Sequence, residues 1–129
     1  MYIQKLRYAK YGNRSSDYNG IIYDSALEAE YAQELDLRLK GKDIKAWTRQ
    51  VKCSIDINGM HICNYYVDFE IEHNDGSFEL VEIKGMETDV WRMKRKLLEA
   101  VWLPEHPDHN YTVEKQGRSN LWTKRKFRR

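Results

Sequence analysis

Tyr66-Val67-Asp68-Phe69-Glu70-Ile71-Glu72-His73-Asn74-Asp75-Gly76-Ser77-Phe78-Glu79-Leu80-Val81-Glu82-Ile83-Lys84-Gly85 is the stretch that decides the fold. Two runs of alternating apolar residues flank Asn74-Asp75-Gly76, a three-residue loop whose glycine suits the position that wants positive φ. This predicts a hairpin in which His73 pairs with Ser77. Counting back from that pair sets Phe69 against Val81, Val67 against Ile83, Asp68 against Glu82 and Tyr66 against Lys84. The apolar residues of both strands then share one face, so turn chemistry and alternation specify the same register.

That register brings two carboxylates together. Residues directly opposite each other sit about 5 Å apart at Cβ, and like charges there destabilise a sheet unless a cation lies between them. Glu82 and Lys84 are two residues apart and share a face. The hard oxygen ligands, without a thiolate or imidazole beside them, favour Mg²⁺ with Mn²⁺ as a substitute. A surface salt-bridge ladder is the alternative.

Upstream, Val51–Ile57 and Ile62–His73 read as strands around Asn58-Gly59, with Ser77–Lys84 as the third strand of an antiparallel meander. Asn58-Gly59 favours a two-residue loop, whereas matching the odd-numbered apolar positions favours three. Neither register sets Cys53 against Cys63, so both are expected as reduced core residues. A short strand, Ile21–Tyr23, leads into the N-cap Asp24-Ser25, and a helix is predicted from Ala26 to Lys40, stopping at Gly41. Leu27, Tyr31, Leu35 and Leu39 spread over an arc of about 120° on that helix, with Glu28 near its middle. A carboxylate in an apolar stripe is costly unless it is paired or binds metal. Ser25-Ala26-Leu27-Glu28 is also a capping box, in which Glu28 would bond a backbone amide. Glu30 and Glu34 fall outside the arc.

A second helix is predicted from Thr88-Asp89 to a point before Pro104. Val90, Met93, Leu97, Leu98 and Val101 form its expected buried face, with Trp91 at the edge. Lys94 intrudes on that face, and Arg92, Arg95 and Lys96 point away as a phosphate-tracking or solvated surface. A last strand is expected around Tyr111–Glu114. The order helix, three strands, helix, strand is a mixed α/β architecture with helices packed on a sheet.

The 129 residues fit a single domain, with residues 1–20 as an N-terminal arm, 21–117 as the core and 118–129 as a tail. Six of the 22 basic residues and none of the 20 acidic ones lie in that tail, so the preceding body is acidic on balance. Arg118, Lys124, Arg125 and Lys126, interleaved with Trp122 and Phe127, suit contact with phosphates and bases; a solvated end is the alternative. No apolar run approaches the roughly 20 residues that cross a bilayer, and Met1-Tyr2-Ile3-Gln4-Lys5 does not read as a signal sequence. Two cysteines cannot build a secreted disulfide framework. A membrane protein, a secreted miniprotein and a disordered chain are thereby excluded. The four histidines have no metal-ligand spacing. Gln50, near the start of the first long strand, lies beside the expected mouth of the carboxylate cluster, where it would position DNA or water or simply end a strand.

Asp68 followed by the triplet Glu82-Ile83-Lys84, with the helical glutamate of Ser25-Ala26-Leu27-Glu28 before them, resembles the PD-(D/E)XK nuclease superfamily. Tyr23-Asp24-Ser25 through Glu30, Tyr66-Val67-Asp68-Phe69 and Val81-Glu82-Ile83-Lys84-Gly85, followed by a lysine-rich helix, resemble its small phage-encoded members. The endonuclease I type of Holliday-junction resolvase has the same motif order over roughly Asp24 to Asn120. Val67 stands where the superfamily's name has proline.

The resemblance implies a restriction-endonuclease-like core and metal-dependent hydrolysis of phosphodiester bonds in DNA. Asp68, Glu82 and the backbone carbonyl of Ile83 would hold Mg²⁺, with Glu28 on a metal or its water. Lys84 would orient the attacking water and offset charge at phosphorus; a salt bridge to Glu82 is the alternative. The implied substrate is branched or four-way DNA, the implied assembly a homodimer, and the implied setting the cytoplasm of a bacterial or phage-infected cell. A nicking or transposon-end endonuclease acting on ordinary duplex, and a non-cleaving DNA-binding module of the same fold, are the alternatives.

Overall fold

A computed structural model describes residues 16–116 and 122–127. The chain divides into two compact units, Met1–Lys42 and Asp43–Arg129.

In the first unit, β1 (Ser16–Tyr18) and β2 (Ile21–Tyr23) pair antiparallel across Asn19-Gly20, both at positive φ (54° and 80°). That is the two-residue turn that Asn-Gly favours. Residues 16–20, expected in an irregular arm, are therefore a hairpin, while residues 1–15 of the arm lie outside the described residues. Helix α1 covers Ala26–Lys40, as expected. Ser25 caps it by accepting the Glu28 N–H at 3.1 Å, and Gly41 closes it with its N–H on the Leu37 carbonyl. Glu28, Tyr31 and Leu35 are buried, and Glu30 and Glu34 are exposed, as the periodicity required. Leu39 departs from it: at the last turn it is exposed, and Ala29 and Ala32 fill the buried face instead.

The second unit is a five-stranded sheet in the order β3-β4-β5-β6-β7. Strands β3 (Ala46–Ile57), β4 (Met60–Glu72) and β5 (Phe78–Ile83) form the expected antiparallel meander. Strand β6 (His109–Gln116) runs parallel to β5. Such a connection needs a crossover, which α2 (Asp89–Leu97), a π turn at Leu98–Trp102 and a 3-10 turn at Leu103–Glu105 supply. The Thr88 hydroxyl caps α2 by accepting the Trp91 N–H. Strand β7 (Trp122–Phe127) pairs antiparallel with β6, setting Lys124 against Glu114 and Lys126 against Thr112 in the ladder. Residues 122–127 of the basic tail, expected as a surface arm, are therefore the edge strand of the sheet, a position where lysines discourage further pairing. Arg118 lies outside the described residues.

The conflict at Asn58-Gly59 resolves through a bulge. Ile57 pairs with Met60 across a two-residue turn at φ 52° and 79°, and the register shifts between Ile55 and Asp56 so that Ile55 meets Cys63. The turn residues dictate the loop, and the bulge restores the apolar match. Cys53 faces Tyr65, and both cysteines are free.

The core of this unit joins Cys53, Ile55, Tyr65, Val67, Leu80, Trp91, Leu98, Leu103, Tyr111 and Val113. Helix α2 enters it on a different side from the one expected. Trp91 and Leu98 are buried, whereas Val90 and Met93 are each 66% exposed. The indole carries the largest apolar surface on the helix and an N–H that needs an acceptor, so it sets the rotation. Leu97 and Val101, partly buried, pack against this core as expected.

Candidate metal and phosphate site

The β4–β5 hairpin has the expected register from its turn outward. The His73 N–H bonds the Ser77 carbonyl at 2.8 Å, Gly76 stands at φ 89°, and the ladder runs through Glu72–Phe78, Ile71–Glu79, Glu70–Leu80 and Phe69–Val81. There it stops. Val67–Ile83, Asp68–Glu82 and Tyr66–Lys84 do not form ladder pairs, which corrects the expected register at the end that matters most.

Two features cause the break. The Asp68 carboxylate accepts the Ile83 N–H at 2.8 Å, taking the place of a β4 backbone carbonyl. Across β3, Arg49 pairs with Phe69 and Val51 with Val67, while Gln50 and Asp68 form no pair and Gln50 stands at φ 56°. A non-glycine residue in that region is strained, and such strain gathers at functional sites. The pleat inverts at this point. Tyr65 reaches Glu82 on β5, yet Phe69 lies opposite Val81, the neighbour of Glu82 and so on the other face. In an unbroken strand Tyr65 and Phe69 would share a face. Strands β4 and β5 therefore part beside Ile83, with Asp68 at the fork. Meanwhile β5 stays zipped to β6 through Ile83–Glu114 and the Lys84 N–H on the Glu114 carbonyl, 3.0 Å.

Glu82 turns into the core and is 6% exposed. Its Oε2 accepts the Tyr65 hydroxyl at 2.6 Å and the Trp91 indole N–H at 3.2 Å. The same indole lies 2.9 Å from the Tyr65 oxygen, and the Tyr111 hydroxyl lies 2.8 Å from it. Oε1 of Glu82 receives no hydrogen bond from a described residue. Burial, and then the Glu82 charge, push the Tyr65 phenol far above its usual range; burial followed by Glu82 does the same to Tyr111. Lys84 is half-buried with its Nζ 5.2 Å from the centre of the Trp91 ring, and it forms no ion pair with a described residue, Glu82 included. Glu82 and Lys84 thus both lie against Trp91, and Asp68 and Glu82 both flank Ile83.

Glu28 belongs to the first unit and is buried on α1. Of the expected DNA-contacting residues, Arg92 is held by Asp89 at 3.0 Å and Glu87 at 3.4 Å. Arg95 does not point away: it pairs with Glu99 at 3.0 Å and lies against the Trp91 ring. Lys94, half-buried, and Lys96, exposed, form no ion pair with a described residue. Gln50 is exposed within β3 rather than at its start. Lys124, Arg125 and Lys126 are positions in β7. Tyr65, Trp91, Tyr111 and the buried Glu114 are the site's neighbours that sequence reasoning left out. The clue to three of them is general, since a buried tyrosine or tryptophan needs a polar partner for its tip.

Among the described residues, no three His, Cys, Asp or Glu side chains converge as a metal-binding group. A set of two carboxylates and a carbonyl remains at the fork. Ile83 turns its N–H towards β4, and an extended residue turns its carbonyl to the same side. Asp68, Oε1 of Glu82 and the Ile83 carbonyl are hard oxygen donors, the chemistry that suits Mg²⁺ or Mn²⁺. The residues present fit such an ion.

No helix among the described residues is long and apolar enough to cross a membrane. No curated protein and no solved structure matches the chain. One family model does match, over residues 8–112, and the chain belongs to that family, described as protein of unknown function (DUF1064).

Proposed function

We propose that the chain is a divalent-metal-dependent DNA endonuclease with a restriction-endonuclease-like core. The observation that carries this reading is the fork at Ile83. An uninterrupted ladder would serve stability better, yet the strands part where the Asp68 carboxylate takes the Ile83 N–H, between Glu82 and a lysine without a described counter-ion on β5. Functional sites are where such local rules are broken.

Asp68, Glu82 and the Ile83 carbonyl would hold Mg²⁺, or Mn²⁺ in its place, and the sequence resemblance makes Glu28 a further catalytic carboxylate. When bound, the ion lowers the pKa of a coordinated water and neutralises charge on the phosphate. The Lys84 ammonium is available to orient the attacking water and to offset charge as the phosphorus becomes five-coordinate. Its contact with the Trp91 ring keeps the flexible chain on the side of Glu82. With Arg92 and Arg95 engaged by glutamates and aspartate, phosphate tracking falls to Lys94, Lys96, Gln50, Arg118 and the β7 cations Lys124, Arg125 and Lys126. The resemblance to resolvases supports branched DNA as substrate and a homodimer as the working form, because two symmetric incisions need two sites related by a two-fold axis.

Supercoiled plasmid incubated with Mg²⁺ and with EDTA tests the reading. Nicking in Mg²⁺ and none in EDTA is expected, with a four-way junction competing more strongly than linear duplex of the same sequence at fixed salt. Retardation of DNA without cleavage in Mg²⁺ or Mn²⁺ would leave a non-cleaving DNA-binding module. Equal cutting of junction and duplex by a monomer would leave a plain endonuclease.

A further inference from the structure

Tyr65 from β4 and Trp91 from α2 bring their polar tips to one oxygen of Glu82, and Tyr111 from β6 brings its hydroxyl to that of Tyr65. The proton directions are forced. An indole N–H only donates and a carboxylate only accepts, so Trp91 donates and Glu82 accepts. Tyr65 spends its single proton on Glu82 at 2.6 Å, and its oxygen then accepts from Tyr111 and shares the Trp91 N–H. All four residues are buried. A carboxylate free to rotate can grip a cation with both oxygens. With Oε2 occupied by two donors, Glu82 has only Oε1 to offer.

We infer that Tyr65 and Trp91 are positioning residues that hold Glu82 as a one-oxygen ligand of the divalent cation; the inference rests on the metal-dependent reading above. Tyr65 and Trp91 act through Glu82. Tyr111 stands one bond further away, because its hydroxyl meets Tyr65 and not the carboxylate. A purely structural network would make Tyr65 and Tyr111 equivalent, as each brings a buried hydroxyl to the same cluster. A positioning network separates them. Partners that orient a metal ligand are worth about 10–100-fold in metal affinity.

The test is calorimetric titration of Mn²⁺ alone into the full DNA-free chain, for the wild type, Tyr65→Phe, Tyr111→Phe and Trp91→Phe. Tyr65→Phe should weaken Mn²⁺ binding by about tenfold or more, and Tyr111→Phe should leave it within about threefold, although melting in EDTA falls for both. Raising Mn²⁺ should restore plasmid nicking by Tyr65→Phe, because the loss lies in metal occupancy. Wild-type Mn²⁺ affinity in Tyr65→Phe, while the wild type binds and nicks, overturns the inference and leaves the nuclease reading intact. A wild type that takes up no Mn²⁺ removes both. Should Tyr65→Phe not fold, Trp91→Phe decides: it keeps an aromatic ring and deletes the other donor to Oε2. Tenfold weaker binding supports the inference, and unchanged binding overturns it.

Discussion

Asp68→Ala and Asp68→Asn should be equally inactive and unequally stable. In the folded chain the Asp68 carboxylate is the acceptor for the Ile83 N–H, 2.8 Å away, and Ile83 is buried. Alanine removes the acceptor and leaves that amide unsatisfied. Losing a bond to a charged group and stranding a buried donor together cost about 2–3 kcal/mol. Asparagine keeps a carbonyl oxygen at nearly the same place, exchanging a charged acceptor for a neutral one at about 1 kcal/mol. Relief of repulsion from Glu82 is common to both variants and cancels in the comparison. The difference of about 1–2 kcal/mol corresponds to roughly 3–10 °C in melting temperature for a chain of this size. Urea unfolding in EDTA measures it, followed by tryptophan fluorescence, since Trp47, Trp91, Trp102 and Trp122 all fall within Asp43–Arg129. Equal stability of the two variants would refute the bridge from Asp68 to Ile83, and with it the explanation of the fork.

Glu28→Gln should abolish nicking and Glu30→Gln should retain most of it, as Glu28 is buried and Glu30 exposed; equal, mild kinetic effects would leave Glu28 as a helix-cap residue. Burial, with help from Glu70 and Glu82, pushes the Cys53 thiol from 9.0 to about 12, and Tyr65 and Tyr111 are raised as well. Above pH 9 the unfolded chain loses these protons while the folded chain keeps them, so stability should fall as pH rises from 9 towards 12. Tyr65→Phe should fall less steeply above pH 10, and an alkaline limb identical to that of the wild type would contradict the assignment. Neutralising Lys124 and Lys126 to glutamine should flatten log affinity against log salt by about 0.9 for each duplex phosphate that the chain no longer neutralises. An unchanged slope would remove β7 from the DNA-binding surface.

Where a local signal had no competitor, the sequence was a sufficient guide. Asn74-Asp75-Gly76 set the β4–β5 register because Gly76 could take φ 89° and Asp75 caps Ser77, both through its N–H at 2.9 Å and through its hydroxyl. Ser25 and Gly41 set both ends of α1 for the same reason. The misses came where a longer-range partner overruled the local pattern. Asp68 reads as one more residue of an alternating strand, and nothing nearby reveals that its carboxylate will capture the Ile83 amide and release β4 from β5. Gln50 carries no sequence mark of its left-handed backbone, since that conformation normally advertises itself through glycine or asparagine. A helical wheel for α2 weighs apolar residues alike, so the single indole that needs Glu82 falls at the edge. Strand β7 reads by its charge, and the β6 edge that receives it is visible only once the sheet exists.

The most direct measurement is the initial rate of supercoiled-plasmid nicking as a function of Mg²⁺, run side by side for the wild type, Glu82→Gln and Lys84→Ala. Each variant is first shown by circular dichroism to be folded. The account predicts nicking that rises with Mg²⁺ in the wild type and a loss of at least about a hundredfold in both variants. A folded Glu82→Gln chain that nicks at the wild-type rate and with the wild-type Mg²⁺ dependence would contradict it.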